Sequence, residues 1–424
     1  MKKQMLAVLF LAVVLSPFFA NVLAASSGDD WSMFRGDLKH TGYSTTAPAT
    51  SNEVLWKFDT GSTIGASPTI VDGKVYIASN AGSIYCLNAK DGSQVWKVSL
   101  SFRSIVSSSI AYSEGQLYFG SFNGYVYCLD AADGRIVWSY STRNSIQSSP
   151  AVANGRVYIG SWDGDLYCID ALSGKKIWNY TTGALVDSSP AVVDGRVYFG
   201  SADKNVYCLD ATSGEKIWSY ATDKTIQSSP AVVDGYVYIG SQDSNIYCLN
   251  ALTGEKVWNS WIESWVDSSP AVANGYIYVG SGVSDTPDKN VYCLNTQTGE
   301  KVWNYQTYDG IYSSPAVAGD YVYIGGWDGN IYCLNATDGA EIWTYTTQAH
   351  INSSPAVSDG IVYIASWDHN VYALGSSKAA GQFGGVDSWV IVVAVVATVV
   401  VLAAAMFVVR GKTGFQTSKT AIAD

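Results

Sequence analysis

The strongest constraint on this chain is a tryptophan that recurs about every 40 residues. The spacings between successive copies are 40, 42, 40, 40, 40, 45 and 40 residues. The longer two come from residues inserted near Phe102-Arg103 and in Val283 to Pro287. Self-similarity at this period indicates a repeat architecture such as a solenoid or a propeller. The recurring residues are Trp56, Trp96, Trp138, Trp178, Trp218, Trp258, Trp303 and Trp343.

Each repeat unit contains four short runs with the composition of β-strands. We label them A to D, with Ser189 to Val193, Val157 to Ser161, Val206 to Leu209 and Lys216 to Tyr220 as examples. The runs are rich in β-branched and aromatic residues, and Gly, Asp and Asn separate them. Asp163-Gly164 suits a tight hairpin between strands B and C, because that turn needs a positive φ. Four strands per unit predict one propeller blade.

The two ends of the array are complementary. The last unit stops at Tyr372-Ala373-Leu374 without a tryptophan strand, whereas the strand Glu53 to Phe58 precedes the first A strand. We therefore expect this N-terminal strand to complete blade eight, which closes the ring and leaves no free edge. An open solenoid is the alternative, but it does not account for the complementary half-units. The predicted fold is all-β, an eight-bladed propeller of four-stranded blades over residues 31–375.

Both termini have the character of membrane-targeting segments. Residues 1–24 combine Lys2 and Lys3, an apolar run and Val22-Leu23-Ala24, which predicts a signal peptide. An uncleaved anchor helix is the alternative. Residues 376–387 are rich in Gly, Ser and Ala and are interpreted as a flexible linker.

The C-terminal part of the chain predicts a membrane anchor. Residues 388–409 carry no charge, and this length is enough to span about 30 Å of hydrocarbon. Arg410 and Lys412 follow, which places the tail, residues 410–424, in the cytoplasm. We expect a single-pass protein of the cell membrane with an extracellular propeller and one C-terminal transmembrane helix.

The segment that leads from strand C to the tryptophan carries a family resemblance. The run Leu209-Asp210-Ala211-Thr212-Ser213-Gly214, continuing to Trp218, resembles the tryptophan-docking motif of the quinoprotein (PQQ) repeat family. The opening Trp31 to Gly36 and His40-Thr41-Gly42 resemble the lead-in of PQQ-like propellers. The resemblance covers residues 31–375 and implies that each tryptophan packs between neighbouring blades. It is specific for fold and weakly informative about activity.

The cysteines all occupy one repeat position, where blade eight has Ala373. We predict buried free thiols, since equivalent positions of adjacent blades should lie beyond the roughly 7 Å limit for a disulfide. Ala373 indicates that small size is what this position requires. No histidine shares the repeat, so no metal site is expected there. The cysteines are Cys86, Cys128, Cys168, Cys208, Cys248, Cys293 and Cys333.

Residues that break the repeat are the candidates for function. One set stands three positions before the proline position of each unit, where it should surround the upper mouth of a central channel: Gly65, Ser107, Gln147, Asp187, Gln227, Asp267, Tyr312 and Asn352. A second set is aromatic and lies at the tips of the B–C hairpins: Phe122, Trp162, Trp327 and Trp367. Trp261, Trp265 and Arg103 belong to nearby loops.

Aromatic residues with a few convergent polar groups are typical of a ligand or peptide site. The alternative is a solvated channel rim with aromatics packed on neighbouring hairpins. The candidate ligand-binding residues are Gln147, Asp187, Gln227, Asp267, Tyr312, Asn352, Trp162, Trp327 and Trp367. Asn179, Asn335 and Asn352 begin glycosylation sequons.

A cofactor enzyme would need further residues. PQQ dehydrogenases, which this chain resembles, hold the quinone beside calcium with Glu, Asn and Asp ligands and often two adjacent cysteines. The sequence has no Cys-Cys pair and no local acidic cluster except Asp285 and Asp288, and the usual hydrolase and phosphate-loop motifs are missing. We therefore expect no catalytic, cofactor-binding or metal-binding residues.

The expected function is non-enzymatic binding or scaffolding with a protein or cell-surface partner. The family resemblance includes the non-enzymatic outer-membrane assembly lipoprotein of bacteria, which favours this role. The alternatives are a PQQ-dependent dehydrogenase using PQQ with calcium, and a structural component of the cell envelope. Nucleic acid is not an expected partner, because the net charge is −11.

Overall fold

The computed structural model describes residues 30–100, 104–282, 286 and 288–376. The chain divides into two compact units, Met1–Gly381 and Gln382–Asp424, and all described residues belong to the first. None of these residues lies in a helix long and apolar enough to cross a membrane. The predicted signal peptide, transmembrane helix and tail, and all but Ser376 of the predicted linker, lie outside the described residues.

The described chain forms eight sheets, each with the antiparallel strand order A-B-C-D, and in blade seven the short strand Tyr43–Ser44 is added parallel to strand A. The A strands are Thr69–Val71, Ala111–Ser113, Ala151–Ala153, Ala191–Val193, Ala231–Val233, Ala271–Ala273, Ala316–Ala318 and Ala356–Ser358. The B strands are Lys74–Ala78, Gln116–Gly120, Arg156–Gly160, Arg196–Gly200, Tyr236–Gly240, Tyr276–Gly280, Tyr321–Gly325 and Ile361–Ala365. The C strands are Ser83–Asn88, Tyr125–Asp130, Asp165–Asp170, Asn205–Asp210, Asn245–Asn250, Asn290–Asn295, Asn330–Asn335 and Asn370–Gly375. The D strands are Gln94–Ser99, Ile136–Ser141, Lys176–Thr181, Lys216–Ala221, Lys256–Trp261, Lys301–Gln306, Glu341–Thr346 and Val54–Asp59.

The eight-bladed, four-stranded propeller predicted from the repeat is therefore confirmed. Ring closure is confirmed as well, because Val54–Asp59 pairs antiparallel with Asn370–Gly375 and places Trp56 opposite Ala373. Within each blade the B–C hairpin and the loop from strand D to the next strand A lie at one end. We call that end the upper face, and the A–B and C–D turns form the lower face.

The A strands begin two residues later than the sequence predicts. Pro190 has no N–H to give to a ladder, and pairing with strand B starts only at Ala191. The N–H of Ser189 instead donates to the hydroxyl of Ser229 in the next blade, at 2.8 Å. The Ser-Pro pair thus belongs to the contact between blades and not to strand A. The composition of a single repeat unit could not show this, because the contact is made with the next unit.

The recurring tryptophans connect each blade to the next through their indole N–H groups. Trp178, for example, donates to the carbonyl oxygen of Ala211 at 3.3 Å, and Trp56 donates to that of Ala89 at 2.8 Å. Gly214 packs against the Trp178 ring, where a Cβ atom would lie 2.6 Å from the ring, and its φ is +76°. A glycine is therefore required at this turn for both space and backbone conformation.

The seven cysteines are all buried and unpaired, as predicted. Cys168 on strand C faces Trp178 on strand D and Tyr158 on strand B. Burial raises the pKa of the Cys168 thiol to about 12, so the thiol stays protonated at neutral pH. These side chains are part of the packing inside each blade and have no reactive thiolate.

Candidate functional site

The lower end of the central channel is crossed by the segment before the first blade, residues 31–44, which we call the lead-in. Successive A strands donate backbone N–H groups to its carbonyl oxygens. Val192 donates to Leu38, Val272 donates to Thr41, and both distances are 2.8 Å. The lead-in ends as a two-residue strand, Tyr43–Ser44, parallel to Ala316–Ala318. Backbone hydrogen bonds therefore attach the lead-in to the innermost strands of several blades.

Two buried basic side chains hold the lead-in beneath the channel. The Arg35 guanidinium donates to the carbonyl oxygens of Pro315 and Pro270, the latter at 3.0 Å. His40 Nδ1 lies 3.2 Å from the carbonyl oxygen of Pro230. Burial is the main cause that lowers the pKa of Arg35 to about 9 and that of His40 to about 3, and the Arg35 charge adds to the effect on His40. His40 is therefore neutral in the folded protein at neutral pH.

Above the lead-in, eight serines form a closed ring of hydrogen bonds, the serine ring. The N–H of each serine donates to the hydroxyl oxygen of the serine in the next blade, at 2.8 to 3.1 Å. Its members are Ser67, Ser109, Ser149, Ser189, Ser229, Ser269, Ser314 and Ser354. The final bond, from Ser354 to Ser67, joins the two ends of the array. In the sequence, the signal for the serine ring is the serine that precedes the proline position of every unit.

A cavity of about 270 Å³ lies above the serine ring, and we call it the mouth cavity. Phe34 of the lead-in contributes to its lining, as does Asn80 of the blade-one hairpin. All eight positions chosen from the sequence surround it: Gly65, Ser107, Gln147, Asp187, Gln227, Asp267, Tyr312 and Asn352. Trp367 lines it as well. Sequence reasoning missed Phe34, because the lead-in has no counterpart in the repeat.

Trp162 and Trp327 do not line the mouth cavity but support its rim. The Trp162 indole N–H donates to the carboxylate of Asp187, and that of Trp327 donates to the amide oxygen of Asn352. In blade five the same hairpin position is Gln242, whose Nε2 donates to Asp267 Oδ1 at 3.0 Å. Each of these hairpins thus holds the rim residue of the following blade.

Trp367 in blade eight has no such acceptor. The rim residue of the following blade is Gly65, which has no side chain, and Trp367 Nε1 is closed to solvent and has no hydrogen-bond partner among the described residues. An unsatisfied buried N–H costs about 1–3 kcal/mol. The mouth cavity is therefore incomplete at the junction of blades eight and one.

The rim aromatics form two groups. Trp327 lies next to Tyr312, His350 and Trp367, with ring centroids 4.7, 5.0 and 6.1 Å apart, respectively. Phe122 and Trp162 form a separate pair at 5.3 Å. Blades seven and eight therefore give the cavity an aromatic side.

Two residues of the rim are acidic, Asp187 in blade four and Asp267 in blade six. Burial raises the pKa of Asp187 to about 6, and the charge of Asp267 contributes to that shift. Burial also raises the pKa of Asp267. No lysine, arginine or histidine is among the residues that line the cavity. The lining of the mouth cavity therefore carries two acidic side chains and no basic one.

The other candidates lie apart from the cavity. Trp261 and Trp265 are 60% and 40% exposed on the upper face, and Arg103 is outside the described residues. Asp288 is buried and accepts hydrogen bonds from Ser281 and Tyr292, at 2.8 and 2.9 Å, so its carboxylate has a structural role. Among the described residues no three His, Cys, Asp or Glu side chains are grouped as metal ligands would be.

The three sequons differ in their setting. Asn352 faces the mouth cavity and holds Trp327, so a glycan there would fill the cavity. Asn179 lies on a D strand, where its amide oxygen accepts from Lys176 Nζ at 2.8 Å. Asn335 ends a C strand and accepts from the N–H of Thr337 at 2.8 Å. Glycosylation of Asn179, Asn335 and Asn352 stays a prediction.

Comparison with known proteins gives one family and many structures of the same fold. The family model described as outer membrane protein assembly factor BamB matches residues 44–119, 80–305 and 287–413. BamB from Moraxella catarrhalis is 21% identical, with a TM-score of 0.66 over 77% of this chain and 98% of that one. No curated protein sequence matches the chain.

Two further structures show how widely the fold is shared. Quinohemoprotein alcohol dehydrogenase from Comamonas testosteroni is 15% identical, with a TM-score of 0.70 over 82% of this chain and 81% of that one. The computationally designed Ika8 protein is 18% identical, with a TM-score of 0.67 over 77% of this chain and 99% of that one. At such identities the likeness shows the fold alone, and function has to be argued from the site.

Proposed function

Because this chain belongs to the family of outer membrane protein assembly factor BamB, we propose that it is a non-enzymatic propeller that binds a protein partner through its upper face. The family description refers to protein assembly, which favours a protein-binding role over catalysis. A rigid ring of eight blades suits that role, since its loops are held in place by a continuous core.

The observation that carries the proposal is the exposure of large aromatics at positions where blade four has small or polar residues. Trp261, Trp265 and Tyr308 are 60%, 40% and 82% exposed on neighbouring upper-face segments. The equivalent residues of blade four and the loop that follows it are Ala221, Thr225 and Asp223. Exposed tryptophan and tyrosine are enriched at the centres of protein interfaces. We refer to these three residues as the aromatic patch.

The mouth cavity does not fit the quinone and calcium that dehydrogenase relatives of the fold use. The quinone is itself a polycarboxylate, and here it would meet Asp187 and Asp267 without a basic residue in the lining. A calcium ion favours several carboxylates at one place, whereas the two carboxylates of the lining belong to blades four and six and are separated by Gln227 of blade five. The composition of the cavity therefore supports a non-enzymatic role.

The test replaces the aromatic patch by residues that the repeat itself uses at those positions. The variant Trp261→Ser, Trp265→Thr, Tyr308→Asp follows Ser141, Thr225 and Asp223 of other blades. A matched control, Leu172→Thr with Leu252→Thr, removes apolar surface from the lower face, where Leu172 and Leu252 are 88% and 65% exposed. Each tagged full-length protein is cross-linked in cells of its own organism, purified and compared by quantitative mass spectrometry.

We expect proteins that co-purify with the wild type and with the control to fall by about tenfold or more with the patch variant. Such a loss corresponds to one or two interface hot spots, each worth about 2 kcal/mol. Equal recovery by all three proteins would contradict the proposal. A second arm adds PQQ and calcium to the purified protein, and reduction of a redox dye with an alcohol would favour the dehydrogenase alternative.

We also propose that the propeller lies outside the cell membrane, anchored by residues 388–409. The support is the uncharged run followed by Arg410 and Lys412. In intact cells without a wall, added protease should digest the propeller and leave an epitope tag placed after Asp424 protected. Recovery of the full chain in the soluble fraction after lysis would overturn this anchoring.

A further inference from the structure

The mouth cavity combines two buried acids, an aromatic side and an unpartnered N–H donor. Resting on the proposed function, we propose that it receives a basic side chain of the protein partner, with the ammonium or guanidinium at Asp187 and Asp267. The Trp367 indole turns towards the cavity, and the partner's adjacent backbone carbonyl accepts a hydrogen bond from its Nε1. A free amine of small size shares this chemistry, and the experiment below separates the two sources.

The first support is the absence of a positive counter-charge. Asp187 and Asp267 belong to blades four and six and face the same cavity. One oxygen of each accepts a hydrogen bond, from Trp162 and from Gln242. Neither carboxylate forms an ion pair within the described part of the chain. A buried carboxylate without a partner is unfavourable, and a cation that enters the cavity would relieve both.

The second support is independent of the acids. Trp367 lines the cavity, but its Nε1 is closed to solvent, and among the described residues it has no partner at the junction where Gly65 provides no side-chain acceptor. A turn of the indole ring towards the cavity would bring this donor within reach of a ligand. A metal ion or a simple amine leaves this donor unsatisfied, whereas a peptide carries a carbonyl close to its side chain. The pairing of an acidic wall with an orphan donor therefore indicates a ligand that has both a cation and an acceptor.

The third support is the size and lining of the cavity. Its volume of about 270 Å³ is just below the range of about 300–1,000 Å³ that small-molecule pockets occupy. One long side chain suits this space better than a large cofactor. Tyr312 lines the same cavity, and its ring can contact the aliphatic stem or the charged end of a lysine or arginine.

The probes are small models of a basic residue in a chain. Nα-acetyl-lysine-N-methylamide and the arginine analogue have the cation and the carbonyls, n-butylamine has the cation alone, and the norleucine analogue has the carbonyls alone. Binding to the purified full-length protein is measured by tryptophan fluorescence and by ligand-detected NMR. Calcium chloride is titrated in parallel.

We expect the lysine and arginine probes to bind and the norleucine probe not to bind. Asp187→Asn and Asp267→Asn keep an acceptor for Trp162 and Gln242 and should each weaken the lysine probe by about tenfold or more. The same two variants should raise the thermal midpoint of the free protein, since a buried charge is removed. Glu263→Gln is the control, because this residue is acidic and exposed on the same face.

The variant Trp367→Phe tests the hydrogen bond between the indole N–H and the carbonyl of the ligand. The wild type should prefer the lysine probe over butylamine by about fivefold, the effect of one added hydrogen bond of about 1 kcal/mol, and the variant should lose that preference. Equal binding of both amines by the wild type would assign the cavity to free amines instead. Tight calcium binding that excludes the lysine probe, or no binding of any amine, would overturn the inference.

The outcomes separate this inference from the proposed function. If no amine binds but partner capture still requires the aromatic patch, only the cavity assignment is wrong. If amines bind but capture does not depend on the aromatic patch, the proposed role of the aromatic patch in partner binding is wrong.

Discussion

His40 makes the stability of the propeller sensitive to mild acid. It is 1% exposed beneath the channel, and burial lowers its pKa from 6.5 to about 3. Between these values the unfolded chain takes up a proton at His40 and the folded protein does not. The free energy of unfolding therefore decreases as the pH falls from 6.5 towards 3.

The size of the effect follows from the choice of pH. A pH of 5 lies about 1.5 units below the ordinary pKa of histidine, so His40 is protonated in the unfolded chain. This protonation lowers the free energy of unfolding at pH 5 by about 2 kcal/mol relative to pH 7.5. Because pH 5 is well above the folded pKa of about 3, the result does not depend on its exact value. Asp187, with a raised pKa of about 6, acts in the opposite sense, because it takes up its proton in the folded protein first. Its contribution over the same interval is about 1 kcal/mol of added stability at pH 5.

The partial cancellation means that His40 has to be isolated by substitution. His40→Asn keeps a donor for the Pro230 carbonyl, and asparagine tolerates the left-handed backbone seen here, where φ is +57°. His369→Asn is the matched control, since His369 is also left-handed, at +78°, but exposed. Urea unfolding of the three full-length proteins is followed by tryptophan fluorescence at pH 7.5 and pH 5.

We expect the change in unfolding free energy between the two pH values to differ by about 2 kcal/mol between wild type and His40→Asn. The wild type should lose more stability on acidification. His369→Asn should behave like the wild type. An identical pH dependence of all three proteins would refute the argument that His40 is buried as a neutral group.

Two further predictions concern the ring and its thiols. Deleting Asn52 to Asp59 removes the D strand of blade eight and the hydrogen bond from Trp56 to Ala89. We expect the deletion to lower the thermal midpoint and to broaden the unfolding transition. Unfolding identical to that of the wild type would show that closure by this strand is unimportant. A thiol reagent should react slowly with the native protein, because the cysteines are buried and burial raises the pKa of Cys128 to about 12. After denaturation the reagent should label all seven cysteines. Rapid labelling of the native protein would contradict the burial of the thiols.

The blades could be predicted from the sequence because the same packing contacts recur in every blade. Trp178 and Gly214 have the same partners as their counterparts, so one unit read correctly predicts the others. Ring closure followed from two half-units, one ending at Leu374 and the other containing Trp56. The residues around the channel mouth could also be located. Equivalent positions of the repeat lie at the same height along the propeller axis, so the residues three before the proline position form one ring.

Contacts outside the repeat could not be predicted in this way. The attachment of Arg35 to Pro315 spans 280 residues and has no equivalent in any blade. The unpartnered Trp367 arises only because the ring brings blade eight next to Gly65. The raised pKa of Asp187 depends on burial and on Asp267, which a linear sequence does not bring together.

The position of Phe34 and the lead-in has a kinetic consequence. Because the lead-in crosses the lower end of the channel and Phe34 lines the mouth cavity, a group that enters the mouth is expected to leave by the same route. Only one occupant at a time is then admitted, and exchange between two partners requires full release of the first. The dissociation rate of the bound group, rather than passage through the ring, would set how fast partners are replaced.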